Sequence, residues 1–428
     1  MRIAVIGSGI SGLSAAWLMA QHGVEVTLLE HAARPGGHSN TVSPVIDGQS
    51  VPVDTGFIVY NPATYPNLTE MFHHLNIATN PTNMSFSVSS ASGLEYGGQG
   101  LNGLFAQRRN LLRPRFWSML RDIKRFYAEA TQLNVNPETT LFDLLEGYSD
   151  AFAQDHLLPM ASAIWSTDVT TVGHMQASSF INFFDNHGLL QLRDRPSWHS
   201  VQNGSTSYVQ KMLATPGITL KLNAKVSGIQ RNDDGVLIAI NGQVEHFDQV
   251  VFATHADQAI ALLDNPTTQE IETLSHFKYS ASKAYLHTDP RLMPRSKRAW
   301  ASWNYLDRGE QGLCVSYWMN RLQRLATDTD VFVTLNPSEL PRAPLAEFDY
   351  EHPILNSDTA CVQKRLWDLQ GTHRTWFCGA YFGHGFHEDG LQSGLAVAEE
   401  ITGKQRPWKL AEPNSRINVQ RQAMQVAA

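Results

Sequence analysis

Arg2-Ile3-Ala4-Val5-Ile6-Gly7-Ser8-Gly9-Ile10-Ser11-Gly12, followed by an apolar run to Gly23 and then Val24-Glu25-Val26-Thr27-Leu28-Leu29-Glu30, decides the fold of this chain. Arg2 to Ile6 reads as a short buried strand, the glycines as a turn, and the residues through Gln21 as a helix that Gly23 ends. Three glycines at this spacing make the turn tight, bring backbone close to a pyrophosphate, and let helix pack on strand. The helix start at Ile10 and Ser11 offers free N–H groups and a positive dipole end to phosphates. Val24 to Leu29 forms a second strand, and Glu30 at its end can accept both ribose hydroxyls. The order of strand, glycines, helix, strand and acid defines a dinucleotide site.

The bulk properties narrow the setting. A chain of 428 residues exceeds one hydrophobic core, so two domains are expected. Hydrophobic residues at 42% and charged ones at 17% are those of a globular protein. A net charge of −7 gives no global attraction for nucleic acid. Cys314, Cys361 and Cys378 are distant and odd in number, which fits a reducing cytoplasm. Glycines 7, 9 and 12 break the first apolar run, so no secretory leader is read there. No uninterrupted apolar stretch is long enough to span a bilayer.

After Glu30 and His31 comes Arg34-Pro35-Gly36-Gly37-His38-Ser39. This glycine pair resembles the superfamily of amine oxidases, protoporphyrinogen oxidases and phytoene desaturases, all FAD enzymes. In that family the loop folds over the pyrophosphate and the next residue is often arginine. Here it is His38, with Ser39 and Thr41 able to donate instead. Val53-Asp54-Thr55-Gly56-Phe57 is similar to the segment that approaches the flavin. Two further segments match. Asn203-Gly204-Ser205 opens a helix, followed by short strands near 218–222, 226–230 and 236–240 and by Asp248 to Thr254, with Val226 where adenine meets backbone. Trp376 to Tyr381 is a strand entering a glycine loop at Gly379. The closing helix Leu391–Ile401 follows Glu388, Asp389 and Gly390, and its N-terminus is implied to face the flavin N1/O2 edge.

The resemblance implies an α/β protein: a Rossmann-like FAD-binding domain of the glutathione-reductase type, interleaved with an α+β substrate domain. Residues 1–75, 200–275 and 370–428 are expected to hold FAD, and 76–199 with 276–369 the substrate. Asp54 to Val59, Ala299 to Tyr305 and Gly385 to Gly390 resemble a bacterial branch described as NAD/FAD-binding proteins. That branch is associated with enzymes acting on unsaturated acyl chains, which implies a desaturase or dehydrogenase of a hydrophobic small molecule or acyl chain. Hydride would pass to flavin N5 while His387 or Glu388 takes a proton. Lys283, in Ser282-Lys283-Ala284-Tyr285-Leu286, resembles the family's strand lysine that holds a water against N5. An amine oxidase, a non-redox isomerase and a flavin-stabilised binding protein remain open alternatives.

Three other features complete the reading. A second GxGxxG at Gly98–Gly103 lacks the buried second strand of a nicotinamide site, since residues 106–127 read as arginine-rich and helical. His384, His387 and Glu388 match no zinc signature, so no metal is expected. Arg108 to Arg125 carries seven basic residues, and Phe116, Met119, Leu120, Ile123 and Tyr127 share a helical face. That stretch suits either contact with an anionic membrane surface, on its cytoplasmic side, or a solvated basic face.

Overall fold

The computed structural model describes residues 1–420 except 134, 137, 166, 187, 192–195 and 308–313. Five parallel strands form its first sheet, in the order Ile218–Lys221, Glu25–Leu29, Arg2–Ile6, Gln249–Phe252, Thr375–Phe377. A central parallel strand is covered on both faces and reads as an unbroken apolar run. Ile3, Ala4 and Val5 are accordingly fully buried. The helix Ile10–Gln21 follows, and Gly23, at φ 84°, turns the chain into the second strand.

The long C-terminal helix His387–Thr402 lies against this first helix. A Cβ on Gly394 would stand 2.2 Å from the Ser11 carbonyl oxygen, and one on Gly12 would stand 1.9 Å from that of Gly7. Glycine at both positions is what allows the approach. An antiparallel meander, Val226–Asn232, Gly235–Ile240 and Gln243–Phe247, joins the same core through Ile229, Ile238 and Phe247. The fold class read from the sequence is the one observed, a Rossmann-like α/β sheet beside a second, mixed layer.

That second layer is a seven-stranded sheet in the order Ala346–Ile354, Lys278–His287, Phe332–Leu335, Val315–Trp318, Trp303–Leu306, Phe86–Ser89, Glu95–Gly97. All its pairs are antiparallel except Trp303–Leu306 with Phe86–Ser89. Helices Pro114–Glu129, Leu158–Trp165 and Ala177–Asn186 surround a further cluster containing Phe126, Phe152, Phe180 and Phe184.

Two expectations are sharpened here. The arginine-rich stretch is a short 3-10 turn, Arg108–Leu112, and then the helix Pro114–Glu129. Pro114 sets the break, because it fits the first helical turn but cannot continue a preceding one. Strand Glu95–Gly97, ahead of Gly98–Gly103, pairs antiparallel with Phe86–Ser89, so those glycines do not open a βαβ unit.

Candidate active site

A cavity of about 1690 Å³ runs between the two layers. Single drug-sized ligands occupy roughly 300–1,000 Å³, so this one has room for a dinucleotide and a second molecule. Its nucleotide end is lined by Gly7, Gly9, Ile10, Ser11, Glu30, His31, Gly37 and Val226. Gly9 caps the first helix without any side-chain hydrogen bond, which leaves the first-turn N–H groups without intrahelical partners. A Cβ on Gly9 would meet nothing within 4 Å. Ligand backbone contact is therefore unobstructed there.

Glu30 anchors this end. Its Oε2 accepts from Ser8 N at 2.9 Å and Ser8 Oγ at 2.5 Å, and Oε1 accepts from Ala32 N at 2.9 Å. A carboxylate has about four acceptor positions, so capacity remains for a ribose hydroxyl. The second glycine loop closes over the first: a Cβ on Gly37 would lie 3.0 Å from the Gly9 Cα. Gly36 and Gly37 both hold positive φ, and Arg34 Nη1 donates to the Gly37 carbonyl at 2.9 Å. Gly36 supports the loop without lining the cavity, as Gly12 supports the helix.

His38 lines the cavity where the family carries arginine, and its Nε2 has no hydrogen-bond partner among the described residues. Its ring lies 4.9 Å from Tyr350 and 5.0 Å from His352. Burial holds its pKa well below the usual histidine value, and His352 adds to the effect, so it is neutral. The expectation that Ser39 and Thr41 donate to phosphate in its place needs correction. Ser39 Oγ is bonded to Tyr208 Oη and Thr41 Oγ1 donates to Asp54 at 2.6 Å, so both hydroxyls are committed within the protein.

Thr55, Gly56, Phe57, Gly379 and His387 line the middle of the cavity. His387 stacks on Phe57 with centroids 3.8 Å apart, and its Nε2 shares a 2.6 Å hydrogen bond with Tyr208 Oη. Burial lowers its pKa to about 3. Adjacent residues of the closing helix point elsewhere. Glu388 is fully buried and accepts from Asn67 N at 3.0 Å, Asn67 Nδ2 at 2.9 Å, Leu68 N at 3.0 Å and Gln392 Nε2 at 2.9 Å. It caps the helix Pro66–His74 and does not face the cavity, so it drops out as a proton acceptor.

Asp389 accepts from Phe386 N at 2.7 Å and pairs with Arg416 Nε at 2.7 Å. Gly390 and Leu391 fix the helix against Ser11 and Ser14: a Cβ on Gly390 would stand 2.8 Å from Ser11 Oγ, and Leu391 O accepts from Ser14 Oγ at 3.4 Å. These three residues, like Glu388, position the helix and do not line the cavity.

Lys283 also needs correction. It sits on the expected strand, Lys278–His287, but its ammonium pairs with Glu347 at 2.8 Å and Asp349 at 3.6 Å on the adjoining strand, with 44% of its side chain exposed. The Glu347 hydrogen bond raises its pKa. Two carboxylates hold it outside the cavity. Two residues take parts that the sequence did not assign them. Tyr208 carries the His387 contact, and Asp54, fully buried, accepts from Thr41, Ser205 and Gln323. Burial raises the Asp54 pKa to about 6 against the pull of those bonds. Thr41, Ser205 and Gln323 lie far apart in sequence, so only the fold shows that one carboxylate gathers them. Among the described residues no cluster of His, Cys, Asp or Glu could hold a metal ion.

The donor set fits FAD: an uncapped helix start, an acid at the end of the second strand, two glycine loops in contact and an unpartnered His38 nitrogen. The fold and this site suit a protein that binds FAD. The chain belongs to the family described as flavin containing amine oxidoreductase, whose pattern matches residues 10–325. It is an FAD-dependent enzyme of that family.

Among relatives, hydroxyneurosporene desaturase of Rubrivivax gelatinosus is 46% identical over 59 residues, 14% of this chain and 10% of that protein. AofH of Mycobacterium tuberculosis, described as a flavin-containing monoamine oxidase, is 25% identical over 296 residues, 66% of this chain and 64% of that protein. The chain thus spans less than two thirds of either relative. Cyclohexylamine oxidase from Brevibacterium oxydans has the same fold at a TM-score of 0.67 and 13% identity, covering 94% of this chain and 98% of that one. The fatty acid isomerase of P. acnes does so at 0.65 and 14%, with the same coverage.

Proposed function

We propose that the enzyme dehydrogenates an uncharged, largely apolar substrate such as an unsaturated acyl chain. The supporting observation is the far wall of the cavity, where Leu120, Ile123, Met160, Ile164, Trp165 and Phe183 meet. The carboxylates among the described lining residues are Glu30, at the ribose end, and Asp349 and Glu351, on the strand beside His38 and His352. None stands in the apolar wall, where an ammonium group would need one. In this reading residues 1–75, 200–275 and 370–428 hold the cofactor, and 76–199 with 276–369 enclose the substrate.

Gly7 to Ser11, Glu30 and the loop at Gly37 would hold the cofactor's diphosphate and ribose. When bound, FAD supplies a two-electron acceptor for a substrate C–H bond. The second hydrogen leaves as a proton while a carbon–carbon double bond forms. His387 is the side chain at hand to receive that proton: its Nε2 is bonded to Tyr208 Oη, and with the ring hydrogen on Nε2 the Nδ1 lone pair would be the acceptor. Its low basicity makes the expected contribution modest, about 10²-fold, the lower end of general acid–base catalysis.

The test is anaerobic mixing of the flavin-loaded enzyme with unsaturated acyl esters and, separately, with primary amines. Bleaching of the flavin absorbance by the acyl esters, slowed about 10²-fold in His387→Ala, is the expected result. Bleaching by amines alone would make it an amine oxidase. Movement of a double bond without bleaching would make it an isomerase.

A further inference from the structure

The described residues expose ten large hydrophobic side chains, and four of these cluster in one stretch: Leu101, Leu111, Leu112 and Trp117, with Leu112 87% exposed. They are neighbours in space as well as in sequence. Trp117 Nε1 donates to the Leu111 carbonyl at 2.9 Å, its ring lies 5.9 Å from Phe105, and Arg108 Nη1 donates to the Phe105 carbonyl at 3.0 Å.

The same stretch of chain carries Arg108, Arg109, Arg113, Arg115, Arg121, Lys124 and Arg125. Asp155, Asp122 and Glu129 pair with Arg115, Arg121 and Arg125. Arg108, Arg109, Arg113 and Lys124 have no carboxylate partner among the described residues. On a chain of net charge −7 this is a local reversal of sign.

The patch borders the cavity. Trp117, Leu120, Arg121 and Lys124 follow the three- and four-residue spacing of one helix stripe. Leu120 and Lys124 line the cavity, as does Leu104 from the preceding turn. The amphipathic face expected from sequence is not the lipid-facing one: Phe116 and Met119 are buried in the core, and Ile123 and Tyr127 turn toward the cavity. The apolar groups left outside are Leu111, Leu112 and Trp117, and a basic surface that is merely solvated has no use for them.

We infer that this patch docks the enzyme on an anionic phospholipid bilayer, with the cavity opening beside the lipid. Exposed leucines and a tryptophan in a stretch rich in arginine and lysine are the composition of a surface seated at the headgroup level. Basic side chains draw it to the anionic leaflet. No helix among the described residues is long and apolar enough to cross a membrane, so the contact is peripheral.

Flotation of the FAD-loaded protein with phosphatidylcholine vesicles, with and without phosphatidylglycerol, tests this. Binding should require phosphatidylglycerol and fall at least about tenfold between low and high salt, as the exposed charges are screened. Leu112→Asp combined with Trp117→Asp should weaken it at least about tenfold, while Leu340→Asp, at another exposed leucine, leaves it unchanged. Melting temperature and flavin content verify folding, and Arg108→Glu with Arg109→Glu gives a second variant pair with the same expected loss. Equal binding to phosphatidylcholine alone, no binding, or binding indifferent to both variant pairs would overturn the inference. A partner protein on this patch would show as that last set of failures. Flotation reads the surface and flavin bleaching reads the cavity, so either proposal can fail without the other.

Discussion

At the nucleotide end of the cavity the walls are backbone and glycine, drawn together within a few ångströms, while at the far end they are the side chains of three helices. Gly7, Gly12 and Gly37 leave no slack, and a single methyl at Gly12 collides with a carbonyl at 1.9 Å. Leu120, Met160, Ile164 and Phe183 meet through side chains that can repack. In the function proposed above, the rigid end holds the cofactor and the adjustable end chooses the substrate. Substitutions at the first should abolish function, and those at the second should redirect it.

The sharpest way to break that contrast is Gly12→Val. The added side chain meets the Gly7 carbonyl, in the turn that directly follows the central strand Arg2–Ile6, so we expect protein that retains no FAD, read from the released flavin after denaturation. Wild-type flavin content would mean that the glycine contact is not needed. Next in size is Glu30→Gln, which removes charge from bonds to Ser8 and to ribose. FAD affinity should fall by about 1.5–3 kcal/mol. Dilution and flavin fluorescence measure it, and unchanged retention would exclude Glu30 as the ribose ligand.

Glu388→Gln separates two neighbours on the closing helix. Glu388 holds the start of helix Pro66–His74, whereas His387 faces the cavity. The variant should melt roughly 2–5 °C lower, because one buried charged acceptor is lost, with the flavin reduced at the wild-type rate. A slowed reduction at unchanged melting temperature would return Glu388 to the chemistry.

The rigid end was legible in the sequence because its requirements are local. Gly7 to Glu30 lie within one βαβ unit, and each glycine's task follows from its spacing. The closing helix was legible for the same reason, although its side chains were not. A helical position gives a direction only once the partner is known, and the partner of Glu388, at Asn67 and Leu68, lies more than 300 residues away. Lys283 was placed on the right strand, but strand pairing with Glu347 and Asp349, which sequence does not give, decided its role. Tyr208 and Asp54 acquire their parts only through contacts between distant segments.

Where the two ends meet, His352 and His387 supply the smallest and most general test. Burial lowers His352 to about 4 and His387 to about 3, against about 6.5 in an unfolded chain. Above pH 6.5 both states are neutral and these residues make stability insensitive to pH. Below it the unfolded chain binds protons that the folded one refuses, so stability falls as pH drops through 6.5 toward 4. Asp54 acts in the opposite sense. Its folded value of about 6 lies above the unfolded carboxylate value, so the native state gains protons, and stability, as pH falls from 6 toward 4. Two histidines displaced by this much outweigh one aspartate displaced by less. The FAD-loaded enzyme should therefore melt about 5 °C lower at pH 5 than at pH 7. His387→Gln, which keeps a hydrogen-bonding group for Tyr208 but cannot titrate, should shrink that difference. A melting temperature that is level or rising toward pH 5 would mean that the imidazoles are charged in the folded protein, and that the boundary between the two ends is wet instead of closed.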